Sequence, residues 1–572
     1  STGSLGGKAR GLAFAINLLS ESKIDKKYNN IKLRVPKVAV IGTDDFDHFM
    51  EDNKLWKTAF SKEKTDKAII KAFLRGKLSK KLIRTLSKYL TEVKYPIAVR
   101  SSSLLEDSQY QPLAGMYSTY MLPNSDTSKT VRLEQLKKAI KLVYASTYLK
   151  EPKALIENSV HNHEEEKMAV IIMELVGKEH RNLFYPSASG SAQSFNYYPV
   201  SYMKRNEGVA HIALGLGRTI AEGEKALRFS PKYPGIIPQY YSIRSTIDNS
   251  QNQFYALDLK KASRLLKDAE QENTSSFELS IAEQDGELYW AGSVISNTDN
   301  VLRDSLRYEG PRVITFPSFL KWETSPVPDI LIDVLKMGEN ALGCPIEIEF
   351  AINMYKDDKK ENEFCLLQIK PMVIGGVERV HELESINKDD VFCKSSIALG
   401  NGLIDNIQNI VIVDPNTFDA SQTEIIAKDI EHINQKMPKD ENFILIGPGR
   451  WGSADPWLGV PVEWAQISNA KVIVEFGMND FPVDPSFGSH FFQNVTSMRI
   501  GYFTLNHKKK NDYLDLKWLN EQKVVAVTKY IKWIRLERPF TVTIDGETGN
   551  GSIIKPLKPT QEIMDEHEAS GI

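Results

Sequence analysis

The chain has few of the features that mark membrane-spanning or disulfide-linked proteins. It contains only 3 cysteines in 572 residues, and Cys344, Cys365 and Cys393 lack the short spacing of zinc ligands. We interpret them as small buried apolar residues of a protein in a reducing compartment, the cytoplasm. No run of about 18 apolar residues and no signal peptide is present, so the sequence predicts no membrane partner.

A strong net charge of either sign is also absent. Lys plus Arg (72) nearly balances Asp plus Glu (74). This balance argues against a nucleic-acid partner and against attraction to an anionic membrane. With 41% hydrophobic and 26% charged residues, the composition is that of a globular protein long enough for about two to four domains.

The stretch from Ile97 to Tyr120 concentrates groups that suit a polyphosphate. An apolar strand is predicted up to Val99, and it delivers Arg100 to a loop in which Ser101 to Ser103 add hydroxyl donors. The planar and always charged guanidinium of Arg100 matches phosphate oxygens. The alternative is an ordinary strand followed by a polar surface loop.

A second candidate anion site lies at the start of the chain. Ser4 to Ala15 predicts a glycine-rich turn that enters a helix, and Gly6 and Gly7 permit a close approach of the backbone. Lys8 lies where the N-terminus of a helix already favours anions. A helix cap with a solvated lysine is the alternative.

Two glutamates predict a site for a divalent cation. In the strand predicted over Pro345 to Ile352, Glu347 and Glu349 alternate with apolar residues and therefore face the same side. Paired carboxylates suit a cation that nucleotide phosphates carry. The next predicted strand ends with Gln368 and Lys370. A solvated strand face would explain the same two glutamates.

In this order, the stretches resemble the ATP-grasp nucleotide-binding domain of the phosphoenolpyruvate synthase and pyruvate phosphate dikinase family. That family carries Val-Arg-Ser-Ser, Glu-Asp and a short Ala-Gly loop, which match Val99 to Ser102, Glu106-Asp107 and Ala114-Gly115. The resemblance implies an α/β (α+β) fold with an ATP-grasp module, followed by a smaller α/β swivelling domain. It also implies ATP and Mg²⁺ as cofactors.

The resemblance assigns roles to individual residues. The ATP-binding residues that it implies are Lys8, Arg100, Ser101, Gly115, Met116, Thr119, Met173, Glu174, Val176, Gly215, Gly217, Gln368 and Lys370. The metal ligands that it implies are Glu347, Glu349 and Gln368. The chain departs from the family at three of these stretches, because Glu347 replaces an aspartate, Lys370 an arginine and Arg218 a glutamate.

Two parts of the implied ATP site depend mainly on the family. Met173 to Val176 ends a predicted buried strand, and the family binds adenine there through backbone groups. Packing of these residues in the protein core is the alternative, and it would explain the same sequence. Gly215-Leu216-Gly217 matches a Gly-Leu-Gly turn of the family, although a lone pair of glycines is weak support.

The second half of the chain resembles the family's swivelling domain more loosely. Gly488-Ser489-His490 partly matches the Thr-Ser-His that presents a phosphorylated histidine, and Thr541 to Gly549 resembles the strand and turn that close that domain. The resemblance implies that His490 and Arg100 are the catalytic residues. Neutral imidazole is a good nucleophile. A histidine packed beside Phe491 is the alternative.

These matches predict the organisation and the function. We expect an ATP-grasp module over 1–380, a linker over 381–395, a phosphohistidine-like swivelling domain over 396–557 and a polar tail over 558–572. The family's pyruvate-binding barrel has no counterpart before Ile572, so either that domain was cut away or the phosphoryl group passes to another acceptor. The oligomeric state also stays open. The predicted function is an ATP-dependent phosphotransferase with an unknown acceptor. A catalytically inactive ATP-binding regulatory or scaffold protein is the alternative.

Overall fold

In the computed structural model, contacts divide the chain into two units, one over Ser1–Val373 and one that includes Ile374–Pro485 and Met498–Ile572. The structure describes residues 3–28, 30–61, 63–103, 117–150, 152–153, 167–196, 203–237, 240, 242–260, 274–322, 324–357, 359–372, 388–400, 402–438, 441–453, 455, 457–478, 491, 500–506, 509, 511–545 and 548–556. The mixed α/β fold that the sequence predicts is confirmed.

Two helices of the first unit, Asp66–Arg75 and Lys80–Glu92, begin at a side-chain cap. Its described helices are α1 Gly6–Ser22, α2 Thr43–Asp52, α3 Trp56–Ala59, α4 Asp66–Arg75, α5 Lys80–Glu92, α6 Lys129–Ser146, α7 Arg218–Ala221, α8 Ile243–Asn249, α9 Leu279–Gln284, α10 Leu288–Ala291, α11 Pro317–Leu320 and α12 Val327–Leu342. The hydroxyl of Thr65 accepts from the backbone N–H of Ala68 at the start of α4. Ser79 caps α5 in the same way.

The strands of the first unit form several sheets. They are β1 Ile31–Arg34, β2 Val38–Ile41, β3 Ile97–Ser103, β4 Thr119–Leu122, β5 Met168–Glu174, β6 Lys178–His180, β7 Leu183–Tyr185, β8 Ala188–Gln193, β9 Val209–Ala213, β10 Leu227–Phe229, β11 Gln253–Asp258, β12 Thr274–Glu278, β13 Gly292–Ile295, β14 Leu302–Arg303, β15 Arg312–Ile314, β16 Ile346–Asn353 and β17 Asn362–Pro371. The two sheets that matter for the candidate site have the orders β1-β17-β16-β8-β9-β10 and β2-β5-β3-β4.

The sheet that contains β16 has one apolar face, which forms the main core. On β16, Ile348, Phe350 and Ile352 belong to this core, and helix α12 covers it with buried residues such as Leu331 and Val334. Since side chains alternate along a strand, Glu347 and Glu349 lie on the opposite face. The prediction that both glutamates share one face is confirmed by their position on β16.

The strand that carries Arg100 is longer than predicted. β3 continues to Ser103 and pairs with β5 on one side and with β4 on the other. Arg100 therefore lies within a central strand, and the prediction that it lies in a loop is wrong. The serines after it are fully buried, because β5 continues to pair with β3 over Ser101 to Ser103.

The second unit is built on a sheet with both parallel and antiparallel strand pairs. Its described strands are β18 Val391–Ser395, β19 Ala398–Leu399, β20 Gly402–Val413, β21 Phe443–Pro448, β22 Arg450–Trp451, β23 Gly459–Val460, β24 Ala470–Phe476, β25 Gly501–Leu505, β26 Tyr513–Leu514, β27 Val524–Val527, β28 Ile531–Asp545 and β29 Asn550–Ile554. Its described α-helices are α13 Thr423–Lys436 and α14 Leu516–Asn520. The main order is β19-β25-β24-β21-β20-β28-β29-β18-β26.

Part of the predicted linker belongs to this second sheet. β18 pairs with β29 and β26, and Phe392 and Cys393 on β18 are fully buried. The interpretation of 381–395 as a linker is therefore wrong for Val391–Ser395, because the neighbouring side chains Phe392 and Cys393 both enter the core. Of the rest of the predicted linker, Lys388–Asp390 forms a short 3₁₀-helix, and 381–387 lies outside the described residues.

Two further predictions concern membranes and cysteines. No described helix combines the length and the apolar character needed to cross a membrane. Cys365 and Cys393 are buried free thiols as predicted, whereas Cys344 is only partly buried. The prediction of burial is therefore wrong for Cys344, which lies in the turn between α12 and β16. Burial raises the pKa of Cys365 to about 12.

Candidate nucleotide-binding site

The first turn of α1 is fixed against β3. Gly6 has a φ of 75°, and a Cβ there would lie 1.8 Å from the carbonyl oxygen of Ser102. The Ser102 hydroxyl donates to the Leu5 carbonyl at 2.8 Å and accepts from the Ala9 N–H at 3.0 Å. Glycine is required at position 6 because any side chain would push the helix away from the strand.

This docking places Lys8 against the same strand. Lys8 is 8% exposed, and its Nζ donates to the Ser101 hydroxyl at 3.4 Å. The alternative of a solvated lysine is therefore wrong. The burial of Lys8 beside the Ser101 hydroxyl places a positive charge next to the strand that carries Arg100.

Arg100 connects the two sheets. Its Nη2 donates to Glu349 Oε2 and to Gln368 Oε1, at 3.2 Å each. Glu349 and Gln368 are directly opposite each other on β16 and β17, and Thr119 is the neighbour of Arg100 on β4. The fold thus brings together residues as far apart as 268 positions in sequence.

A second pair of charges lies next to this cluster. Glu347 and Lys370 are opposite each other on β16 and β17, and Glu347 Oε1 lies 3.4 Å from Lys370 Nζ. The other oxygen of Glu347 accepts from Gln193 Nε2 at 2.8 Å. Glu347, which replaces an aspartate of the family, therefore contacts Lys370, which replaces an arginine. Each of these two side chains is less than a tenth exposed.

Sequence reasoning missed the polar residues of β8 and β9. Ser191 is opposite Glu349, and Gln193 is opposite Glu347, so β8 extends the polar face of the sheet. His211 on β9 is opposite Ser191 and is also buried. The alternation of Ser189, Ser191 and Gln193 was the available signal, because a period of two places them on one face.

A small apolar cluster lies on the same face as Glu349. Val176, Ala351 and Cys365 are buried together, and Leu367 packs against them. A β-bulge after Glu349 shifts the pairing so that Ala351 is opposite Cys365. This face of the sheet is therefore charged around Glu349 and apolar around Ala351. A ligand with a polyphosphate and an aromatic base requires both kinds of surface.

The other residues of the predicted adenine segment have different surroundings. Met173 packs against Ala9 and Leu12, and the Glu174 carboxylate accepts from two nitrogens of Arg34 at 3.0 and 3.1 Å. The backbone N–H groups of Glu174 and Leu175 donate to the carbonyls of Lys37 and Pro96. Within this segment, only Val176 packs in the apolar cluster.

Glu174 is part of an ion-pair cluster of its own. Arg34 also donates to Glu363 at 2.8 and 3.3 Å, and Asn353 donates to the same carboxylate at 2.9 Å. Burial would raise the pKa of Glu363, but the hydrogen bonds from Arg34 and Asn353 hold it below its ordinary value. Charge-assisted bonds of this kind favour the ionised form.

The glycine turn after β9 is held by the neighbouring strands. Gly215 has a φ of 83°, and a Cβ there would lie 2.6 Å from the Tyr255 carbonyl oxygen. The carbonyl of Gly215 accepts from the Ser189 hydroxyl at 2.7 Å. Arg218 lies over the Tyr255 ring at 4.8 Å and pairs with Glu222, the residue that follows α7. Close packing against the Tyr255 backbone thus explains why position 215 is a glycine. Gly217 is the last residue of the turn, and α7 begins after it.

Several predicted residues lie outside the described residues: Gly115, Met116 and His490. Across the described part of the chain, no group of three or more His, Cys, Asp or Glu side chains could hold a metal ion. Mg²⁺, however, usually takes one or two carboxylates and completes its shell with water and substrate phosphates. The donor chemistry of Glu347, Glu349 and Gln368 fits that pattern.

Comparison with known proteins supports the family assignment of the first unit. The family model described as pyruvate phosphate dikinase, AMP/ATP-binding domain, matches residues 2–389. This match contains every predicted site residue except His490. No curated protein is similar enough to the chain to count as a match.

Proposed function

We propose, since the chain belongs to the family of the pyruvate phosphate dikinase AMP/ATP-binding domain, that it binds Mg-ATP in the first unit and transfers a phosphoryl group from it. One observation carries the proposal. Arg100 contacts Glu349 and Gln368 across two sheets, and Lys8 lies beside Ser101 on the same strand as Arg100. These side chains would surround a triphosphate.

The two cations would bind the phosphates. Arg100 presents a planar fork for phosphate oxygens, and Lys8 supplies a point charge from the first turn of α1. The apolar cluster of Val176, Ala351 and Cys365 would lie against the base. Backbone groups would give the base its hydrogen bonds, as the family resemblance implies for Met173 to Val176.

Magnesium would be held by Glu349 and Gln368, with Glu347 as a further carboxylate. When bound, the ion neutralises charge that develops on the phosphates during transfer. Arg100 would then change partners, because a phosphate is a stronger acceptor for its guanidinium than the Gln368 amide. The protein's own part is thus to orient the phosphates and balance their charge.

His490 would be the phosphoryl carrier. In the proposed step, an imidazole nitrogen attacks the β-phosphorus of ATP, the new N–P bond forms, and the bond to the α-phosphate oxygen breaks to release AMP. The γ-phosphoryl group passes to water or phosphate, and the β-phosphoryl group passes from His490 to an acceptor. The resemblance of Gly488-Ser489-His490 to the family's phosphorylated histidine supports this assignment, within a swivelling domain over 396–557.

A catalytically inactive ATP-binding regulatory or scaffold protein is the second candidate. The ion pair of Glu347 with Lys370 favours it, because a carboxylate already paired with a buried cation is a weaker metal ligand. Arg218, which replaces a glutamate of the family, also favours the inactive candidate.

An experiment with ATP labelled at the β-phosphate distinguishes the two candidates. We expect acid-labile, base-stable label on His490, detected by mass spectrometry, together with formation of AMP. The His490→Ala variant should bind ATP but carry no label, and His432→Ala serves as a control because His432 lies on α13, away from any predicted role. Tight ATP binding without label or AMP would support the inactive candidate.

A further inference from the structure

A cavity of about 520 Å³ lies in the first unit, and it contains none of the predicted nucleotide-site residues. Strand β6, the turn between α9 and α10, and the loop between β16 and β17 form its walls. The lining residues that matter are Lys178, His180, Glu287, Tyr355, Lys356 and Lys360. The volume is within the range of small-molecule sites.

The innermost carboxylate of the cavity is already fully bonded. Glu287 Oε1 lies 2.5 Å from Lys178 Nζ, and Glu287 Oε2 accepts from the Ser187 hydroxyl at 2.6 Å. Lys178 also donates to the Met354 carbonyl at 2.5 Å. Glu287 therefore balances the charge of Lys178 and has little left for a further cation.

Two more lysines add positive charge that this carboxylate does not balance. Lys356 lies 4.6 Å over the ring of Tyr289, and Lys360 lies 5.4 Å over that of Tyr355. Neither makes an ion pair within the described residues. Burial lowers the pKa of Lys178, Glu287 opposes this effect, and the charges of Lys356 and Lys360 lower the pKa further.

The other carboxylates that line the cavity are exposed to solvent or already bonded. Asp285 pairs with Arg181 at 2.6 Å and accepts from the Tyr185 hydroxyl. Glu179 also lines the cavity, but it is exposed to solvent and alternates along β6 with Lys178 and His180. Asp357 accepts from the backbone N–H of Lys359.

His180 supplies a polar atom without a partner. Its Nε2 is buried and makes no hydrogen bond within the part of the chain that the structure describes. The nearest carboxylate oxygen, from Glu287, is 3.9 Å away, which is too long for a hydrogen bond. Buried polar atoms are nearly always satisfied, so this nitrogen indicates a missing contact.

We propose that this cavity is a second ligand site, for a small phosphate-bearing anion. Lys356 and Lys360 would contact the phosphate, and His180 Nε2 would bond to it from inside the cavity. A phosphate fits better than a carboxylate because it carries close to two negative charges at neutral pH. The rings of Tyr355 and Trp290, both in the cavity lining, would cover the rest of the molecule.

Calorimetric titration of the full chain with inorganic phosphate tests this site. In Lys356→Met/Lys360→Met we expect binding to weaken about tenfold or more, since each charge-assisted contact contributes about 1.4 kcal/mol or more. Lys359→Met is the matched control, because Lys359 is an exposed lysine of the same loop that does not line the cavity. His180→Phe should weaken binding while keeping the ring contact with Tyr185.

The Arg100→Ala variant separates this cavity from the nucleotide site. Phosphate binding that persists in Arg100→Ala and in Lys359→Met, but is lost in the double lysine variant, supports the proposal. Equal affinity in wild type and double variant overturns it, as does loss in Arg100→Ala alone or no binding to the wild type. Because the two sites share no residue, failure here leaves the proposed ATP site standing.

Discussion

Two arginines of the first unit join the same two sheets, and they are bonded in opposite ways. Arg34 and Arg100 are similarly buried, with side chains 20% and 16% exposed. Arg34 donates through Nε, Nη1 and Nη2 to Glu174 and Glu363. Among the described residues, Arg100 donates only through Nη2, and one of its two acceptors is a neutral amide.

The difference separates a structural arginine from a binding arginine. A guanidinium has five N–H donors, and Arg34 directs donors from all three nitrogens at two carboxylates. Arg100 keeps donors on Nε and Nη1 without an acceptor among the described residues. We infer that Arg34 holds the two sheets together, whereas Arg100 has N–H donors that can bind a polyphosphate.

The largest effect is expected from Arg100→Ala. This change should remove the increase in melting temperature that ATP produces, because ATP affinity falls by about tenfold or more when a charge-assisted phosphate contact is lost. The melting temperature without ATP should fall less than in Arg34→Met, because Arg100→Ala leaves one carboxylate, that of Glu349, without its cation instead of two. Thermal unfolding with and without ATP measures both, and an unchanged ATP-dependent increase would contradict the proposed site.

The opposite result is expected from Arg34→Met. Removal of Arg34 leaves Glu174 and Glu363 partly buried without their cation, which should lower the free energy of unfolding by about 2 kcal/mol. ATP affinity should stay within about twofold, less than 1 kcal/mol. Urea unfolding and ATP titration test this pair of outcomes.

Lys32→Met is the matched control for Arg34→Met. Lys32 lies on the same strand, but its side chain is 55% exposed and its carboxylate partner is 3.9 Å away. Exposed pairs of this kind contribute little. Loss of ATP binding in Arg34→Met without a loss of stability would reverse the roles we assign to the two arginines.

A smaller effect should follow from pH. Because the folded protein holds the pKa of Glu363 below its ordinary value, the Arg34 cluster stabilises the fold above the pKa of the unfolded chain, about 4.3. That stabilisation is lost as pH falls through the lower folded pKa. Thermal unfolding at pH 7 and pH 4 should show a smaller difference for Glu363→Gln than for wild type. An equal difference would show that this carboxylate does not contribute.

The smallest effect concerns the thiols. Cys365 is opposite Arg34 on the neighbouring strand, and burial raises its pKa to about 12. A thiol reagent at pH 8 should therefore modify Cys344 before Cys365 and Cys393, as measured by mass spectrometry. Arg34→Met should speed modification of Cys365, whereas Arg100→Ala should not. Equal rates for Cys344 and Cys365 in wild type would contradict the burial of Cys365.

Local patterns in the sequence were enough to predict the elements that carry the candidate site. The alternation of Glu347 and Glu349 predicted a strand with both carboxylates on one face, and the glycines before Lys8 predicted the turn into α1. The family match over residues 2–389 confirms the family that the ordered motifs of the first unit indicated. Periodicity is a property of neighbouring residues, so no knowledge of the fold was needed.

The partners of these residues depended on the tertiary structure. The sequence presented Glu174 as one of several adenine-site residues, yet Arg34, 140 positions away, bonds its side chain. Arg100 was expected in a loop but lies in β3, where it reaches Glu349 and Gln368. Which carboxylate meets which arginine depends on sheet order, strand register and the bulge after Glu349. These are long-range pairings, and no local pattern specifies them, because the contact forms only after distant strands have packed.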